Sequence, residues 1–328
     1  SSVPHPVLTI AIPTYRRPGL LKEALESALE QQPSGISHEI IVVDNEPMGE
    51  GVTETELLMQ QFREERLLYY RNQENIGMFG NMNRCFELAR GKWVAFLHDD
   101  DLLYDDYLVK LSRILERKPE TGLIISNHLY FEHGKPVPYI SKKNFAKQLL
   151  FDYGKDKLVS LSVRDVYAFN LLYYGAPTCG AVFNKEVAIQ EGGFNEDYFP
   201  AADGLFMFKI NRRHNVYRPI CYFGSYRWGV NESLKLETIR KFVEYQDLVR
   251  RFSIQQSQLA AIMNRLFCYE KHADAMVWCL DLDKDRVLKP EDFNDLCEYK
   301  IRPFQLGLYR FLKTNYTRFK IFMALVLG

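Results

Sequence analysis

Four times in the first hundred residues a short apolar run gives way to polar residues and then to a helical repeat. Val7-Leu8-Thr9-Ile10-Ala11-Ile12 predicts a first strand, stopped by Pro13, with Pro13 to Gly19 as the loop after it. Leu20, Leu21, Ala24, Leu25, Ala28 and Leu29 then recur at helical spacing. Glu39-Ile40-Ile41-Val42-Val43 predicts a second strand ending in Asp44-Asn45, followed by an amphipathic helix with Leu57, Leu58 and Phe62 inward. Leu67-Leu68-Tyr69-Tyr70 predicts a third, ending in Arg71-Asn72. Asn75-Ile76-Gly77-Met78 opens a helix carrying Met82, Cys85, Phe86 and Ala89, and Gly91 closes it. Trp93-Val94-Ala95-Phe96-Leu97 runs into His98-Asp99-Asp100-Asp101. Such short, nearly continuous apolar runs fit strands covered on both faces. The alternation predicts a mostly parallel sheet flanked by helices. Polar residues at every strand's carboxyl end predict one crevice, where open α/β sheets bind ligands.

The pattern then loosens. Gly122 to Ser126 predicts a strand, and His128 to Tyr139, around Gly134-Lys135-Pro136, a β-hairpin. Residues 141–175 read as a long connection with one helix near Val163 to Leu172. Gly180-Ala181-Val182-Phe183 returns to strand, with a short helix from Lys185. Gly192-Gly193-Phe194-Asn195-Glu196 is a turn, and Ala201-Ala202-Asp203 opens a helix bearing Phe206, Phe208 and Ile210. From Leu234 the pattern is helical, with one face on Ile239, Phe242, Val243, Gln246 and Val249. A second face carries Leu259, Ile262, Met263, Leu266 and Phe267. The expected organisation is a main domain over 1–230, in halves of about 1–102 and 103–230, and a helical region over 231–328.

Composition narrows the function. Lys+Arg and Asp+Glu are 42 each, so no net field steers the chain to nucleic acid. Six scattered cysteines without a CxxC fit buried, reduced thiols. No signal-peptide pattern and no run of about 18 apolar residues is present, so a cytoplasmic location is expected. Lys300 to Gly328 contains no Asp or Glu and mixes Arg302, Arg310, Lys313, Arg318 and Lys320 with aromatics. That segment either touches the inner face of an anionic membrane or packs on the domain with a solvated basic face. Asp281-Leu282-Asp283-Lys284-Asp285 starts like a calcium loop, but Arg286 and Asp292 stand where Gly and Glu are needed.

The chemistry concentrates at Asp99-Asp100-Asp101. Three adjacent carboxylates resist ionising together, and a hard cation with oxygen ligands relieves the conflict. With neither GxGxxG nor GxxxxGK[ST] in the chain, a diphosphate would need a metal and basic side chains. The plainer alternative is an acidic turn before the helix of Leu102 to Leu115. By position alone, Asp203 fits a helix N-cap.

Taken in order, Ile12-Pro13-Thr14-Tyr15-Arg16-Arg17, Ile41 to Asn45, Asn75-Ile76-Gly77, Trp93 to Asp101, and Gly192-Gly193-Phe194 followed by Asp203 resemble family 2 glycosyltransferases of the GT-A fold. The resemblance covers about the first 210 residues. It implies a Rossmann-like, mostly parallel sheet with helices, here with a helical C-terminal appendage. It implies an inverting, metal-dependent hexosyl- or N-acetylhexosaminyltransferase moving a sugar from a nucleotide donor, expected to be UDP-linked, to a glycan or lipid-linked glycan in surface polysaccharide synthesis. Asp203 matches the general base. Pro13, Thr14, Tyr15, Arg17, Asp44, Arg71, Asn75, Gly77, Met78, Asp99 and Asp100 match the donor side, with Asp44 accepting from the uracil ring NH. Asp100 and Asp101 match ligands of Mn²⁺ or Mg²⁺. Gly192, Gly193 and Trp228 fall on the acceptor side, Trp228 serving equally as core. The family's later Tyr-Arg-x-His appears as Tyr226-Arg227-Trp228-Gly229, without the His. That leaves Arg227 or the middle loop to replace a phosphate contact. A non-catalytic nucleotide-sugar or glycan-binding protein on this fold is the alternative. A sugar nucleotidyltransferase is disfavoured, because Pro13 to Arg17 is not a glycine-rich loop.

Overall fold

A computed structural model describes residues 6–49, 51–135, 157–162, 178–229, 235–242, 303–327 and scattered positions between 255 and 292. The elements are β1 (Leu8–Thr14), α1 (Pro18–Leu29), β2 (His38–Asp44), α2 (Glu54–Met59), β3 (Leu67–Arg71), α3 (Met78–Leu88) and β4 (Trp93–Phe96). There follow β5 (Leu102–Leu103), α4 (Tyr107–Arg117), β6 (Thr121–Ile124), β7 (His128–Glu132), β8 (Leu158–Ser160), β9 (Val182–Asn184) and α5 (Lys185–Gln190). After a 3₁₀ turn at Glu196–Tyr198 come α6 (Ala202–Asn211), β10 (Asn215–Pro219), β11 (Gly224–Trp228) and α7 (Pro303–Leu327).

Eight strands form one sheet in the order β3-β2-β1-β4-β9-β6-β10-β8. β1 to β4 are mutually parallel, as the alternation predicts. β9 runs antiparallel to both β4 and β6. A smaller sheet has the order β5-β11-β7. Successive side chains of a strand point to opposite faces. Leu8, Ile10, Ile12, Ile40 and Val42 therefore meet α1 and α4 residues on one side. Ala11, Ile41, Val43, Val94 and Phe96 meet α3 and α6 residues on the other. This two-sided burial explains the continuous apolar runs.

Three local expectations are corrected. β1 continues through Pro13, which sits opposite Val43. Its pairing with β4 has already ended at Ala11 opposite Phe96, so the missing N–H of Pro13 falls where no ladder partner exists. Leu57 is exposed, because the six-residue α2 buries only the edge carrying Leu58 and Met59. β7 pairs in parallel with β11, nearly a hundred residues later, and the expected second hairpin arm up to Tyr139 lies outside the described residues. Ile262 and Leu266 are exposed while Met263 and Phe267 are buried, so that helical face is narrower than its spacing suggests. The expected helix at 163–172, the Val243 to Val249 face and the 281–286 calcium-like run lie outside the described residues.

Candidate active site

The carboxyl ends of β1 to β4 open into two adjoining cavities that share Arg17, Met78, Met82, His98 and Phe199. The larger, about 560 Å³, is lined by Pro13, Thr14, Tyr15, Asn45, Asn75, Gly77, Asn81, Asp99 and Lys235. Its size suits a small-molecule ligand. The smaller, about 150 Å³, brings together Asp100, Asp101, Thr178, Asp203, Tyr226 and Thr238. Asp203 thus lies on the same surface as the acidic run, from which it is separated by a hundred residues of chain.

The acids are held from several directions. Thr14 Oγ1 donates to Asp99 Oδ2 at 2.8 Å. Arg17 donates through Nε and Nη2 to Asp99 and through Nη1 to Asp100 at 3.1 Å. Pro18, whose missing N–H costs nothing at a helix start, leaves Arg17 just outside α1 and turned to the acids. Burial pushes Asp99 up to about 6, against the pull of Arg17. Burial and then the neighbouring Asp100 push Asp101 well above the usual carboxylate range. Asp101 Oδ1 accepts from the Arg227 backbone N–H at 2.7 Å. Its Oδ2 is buried and, among the described residues, receives no N–H or O–H donor, while the Cys179 thiol bonds to the same carboxyl.

This donor set fits a hard cation: all oxygen, adjacent, and costly to ionise without a positive charge. Among the described residues no three ligating side chains converge into a finished metal site. A cation here would rest on one or two carboxylates and take its remaining ligands from a bound substrate.

Arg227 is a correction to the sequence expectation. It is 3% exposed, and its Nε donates to the Asp100 carbonyl at 2.7 Å and its Nη2 to Glu23 at 2.7 Å. Its guanidinium also stacks over Phe131. It braces the acidic turn from behind and does not line either cavity.

Asp44 and Arg71 are also set back from the cavities. Asp44 is fully buried, accepting from the Glu46 N–H and the Tyr69 hydroxyl, at 2.9 and 2.8 Å. Arg71 donates to the carbonyls of Glu46 and Pro47 and pairs with Glu56 at 3.1 Å. Both fix the chain after β2. Gly192 and Gly193 likewise line neither cavity. Gly193 has φ +66° and faces Asn83, whose side chain clasps Phe194 through both its N–H and its carbonyl. Phe194 then packs on Phe206 of α6, with centroids 4.8 Å apart. The turn seats the helix that carries Asp203. Trp228 contacts Tyr226 and Tyr130 on one face of the small sheet, where Tyr130 is half exposed and Tyr226 reaches the smaller cavity.

Asp203 sits in the first turn of α6 and accepts from the Gly204 N–H at 2.7 Å. Burial raises its carboxyl to about 6, an effect the Gly204 bond opposes. A carboxylate so placed is a serviceable proton acceptor near neutral pH.

Sequence reading gave no role to Asn45, Asn72, Asn81, His98 or Thr178. Asn45 ties Asn75, the Gly77 carbonyl and the Ile76 N–H together. Asn72 bridges Asn45 and Asn81. Asn45 and Asn72 directly follow strand-end polar residues, which was the available signal. His98, kept neutral by burial, shares a 2.5 Å hydrogen bond with Thr178 Oγ1, and nothing in the local sequence marks Thr178.

Comparison with known proteins agrees with this geometry. Residues 9–174 match the family described as Glycosyl transferase family 2. A Campylobacter jejuni protein, GalNAc(5)-diNAcBac-PP-undecaprenol beta-1,3-glucosyltransferase, is 26% identical over 224 residues, 65% of each chain. The chain spans less than two thirds of the length of the curated relatives it matches, 64% for an uncharacterized Mycobacterium tuberculosis protein. Among solved structures, Staphylococcus aureus TarS 1-349 in complex with UDP-GlcNAc superimposes with a TM-score of 0.57 at 16% identity, over 95% of this chain and 91% of that one. The mannosyltransferase PcManGT of Pyrobaculum calidifontis, in complex with GDP-Man and Mn²⁺, gives 0.55 at 17% identity, over 98% and 86%. These likenesses show the GT-A fold.

Proposed function

The chain belongs to glycosyltransferase family 2, and from that premise we propose that it is an inverting transferase moving a hexose or N-acetylhexosamine from UDP to a glycan hydroxyl. One observation carries this reading: Asp203 shares a cavity with Asp100 and Asp101, and that cavity adjoins the larger cleft. The donor's nucleoside lies in the larger cleft against Pro13, Thr14, Tyr15, Asn75, Gly77 and Met78, beside Arg17 and Asp99. Asp44 and Arg71 hold that cleft from behind. The diphosphate points toward the acids. Asp100 and Asp101 would hold Mn²⁺ or Mg²⁺, which when bound would supply positive charge against the departing diphosphate.

Asp203 takes the proton from the acceptor hydroxyl, and that oxygen forms a bond to C1 of the sugar. The C1 bond to the diphosphate oxygen breaks on the opposite face, carrying its electron pair away on UDP. A positioned base of this kind contributes about 10²–10⁴-fold. The acceptor lies on the side of Tyr226, Tyr130 and Trp228. The main domain ends near residue 230, its donor half near 102, and the helical region follows. The Campylobacter relative, named for a polyprenol-linked glycan, supports a lipid-linked acceptor in surface polysaccharide synthesis. The neighbours holding UDP-GlcNAc and GDP-Man support a nucleotide-sugar donor, uridine-linked in the first, and the one holding Mn²⁺ supports the cation.

A screen of nucleotide sugars by thermal shift and donor hydrolysis, with and without Mn²⁺, tests this. A uridine donor should bind and hydrolyse slowly with the cation. Binding without any turnover, on any acceptor, would favour the non-catalytic alternative. No binding of any nucleotide sugar would remove the reading.

A further inference from the structure

α3 begins without a cap of its own. A helix start leaves its first N–H groups unpaired, and an N-cap side chain ordinarily accepts from the second or third. Here the N-cap is Gly77, with φ +78° and no side chain to offer. Glu196 takes its place from 117 residues beyond Phe79: its Oε2 accepts from the Phe79 N–H at 2.9 Å and the Gly80 N–H at 3.2 Å. A carboxylate also suits the positive end of the helix dipole. The fit is close, since a Cβ at Gly77 would lie 2.8 Å from Glu196 Oε1. A side chain at 77 and the Glu196 carboxylate therefore compete for one place.

The two ends of this contact belong to different walls of the site. Gly77 and Met78 line the larger cleft, and Met78 also reaches the smaller cavity. Glu196 opens the 3₁₀ turn that leads to Phe199 and Pro200, which line the smaller cavity, and then to α6 with Asp203. The Glu196 carbonyl accepts from the Phe199 N–H at 2.9 Å. Phe79 packs edge-on against Phe199, with centroids 6.2 Å apart. Glu196 is exposed, so water could pair with both N–H groups in its absence. Capping alone thus does not call for a residue from the opposite wall, whereas holding the two walls together does.

We propose that Glu196 is a positioning residue. It fixes the donor wall at Gly77 and Met78 to the turn that sets Asp203, so donor binding and base placement depend on one carboxylate. This rests on the transferase reading, with Asp203 as the base.

Calorimetry of the full chain with UDP and Mn²⁺, and the kinetics of UDP-glucose and UDP-GlcNAc hydrolysis, test the proposal. E196A should weaken UDP affinity about fivefold, the equilibrium worth of one helix cap. It should also lower kcat about ten- to a hundredfold, the scale of a small misplacement of reacting groups. E196D, whose shorter reach breaks the same bonds with the charge kept, should behave alike. E196Q keeps an oxygen able to accept both bonds and should recover most of both losses. A purely structural role would move only the thermal melt. E196A or E196D with unaltered UDP affinity and kcat, measured well below its melting temperature, overturns the proposal. So does E196Q as impaired as E196A. Failure of the unaltered chain to bind UDP with Mn²⁺ would instead remove the transferase reading beneath it.

Discussion

On the donor side of His98 nearly every polar side chain is held by another; on the far side Asp203 is held by little beyond its own helix. Thr14, Arg17 and Asp99 interlock, and Asn45, Asn72 and Asn81 form a chain of amides beneath Asn75 and Gly77. Asp203, by contrast, accepts from the neighbouring Gly204 N–H. The first arrangement fixes a shape before any ligand arrives, which lowers the ordering cost of binding. The second leaves a carboxylate poorly solvated and therefore basic. On the proposed mechanism, a site for gripping and a site for proton removal look different even when both are built from aspartates.

The sharpest way to break this contrast is Asp203→Asn. Transfer should fall by about 10²–10⁴-fold while UDP affinity, measured by calorimetry, stays put; loss of UDP binding would place Asp203 on the gripping side. Asp100→Ala should instead weaken metal-dependent UDP binding, and transfer with it. Apparent affinity for the divalent ion should fall by at least the ten- to a hundredfold, about, that losing an outer-shell partner costs. Titrating Mn²⁺ against UDP binding measures this. Arg227→Ala attacks the brace without entering a cavity. Losing its charge-assisted bond to the Asp100 carbonyl should cost about 1.5–3 kcal/mol in urea unfolding. An unchanged midpoint would make the brace decorative.

Acidity gives the smallest effect. On the proposed mechanism Asp203 acts as a base only when ionised, and burial lifts its carboxyl to about 6. Below that pH, kcat/KM should drop about tenfold per unit. The same shift has an opposite sign for folding. The native state holds this proton more tightly than the unfolded chain, so Asp203 costs stability as pH rises from the ordinary carboxylate value to about 6. Asp203→Asn should flatten that part of a stability-against-pH curve.

The donor half was legible because its signals are local. Strands buried on both faces spell out apolar runs, and the carboxyl end of each run lies on the crevice side of the sheet by geometry alone. Family membership, the sheet and the meeting of Asp203 with the acids followed that reading. What escaped it depends on distant partners. Arg227 looked available for phosphate until β11 placed it under the acidic turn, against Glu23 from α1. Asp44 and Arg71 stand at strand ends as expected, yet Tyr69 and Glu56 draw them inward. The glycine pair carries no mark that its task is to let Phe194 reach under α6.

The direction of β9 decides which chemistry the crevice sees. Its leading end meets the rim, where the Gly180 N–H bonds to the Phe96 carbonyl and Thr178 reaches His98. Its trailing end is moored at the opposite rim, with Lys185 donating to the Lys92 and Ala89 carbonyls. Flip that three-residue segment end for end and the Lys185 ammonium group would sit next to the aspartates, a second cation beside Arg17 competing for their oxygens. One backward strand keeps the lysine and the acids at opposite poles of the sheet.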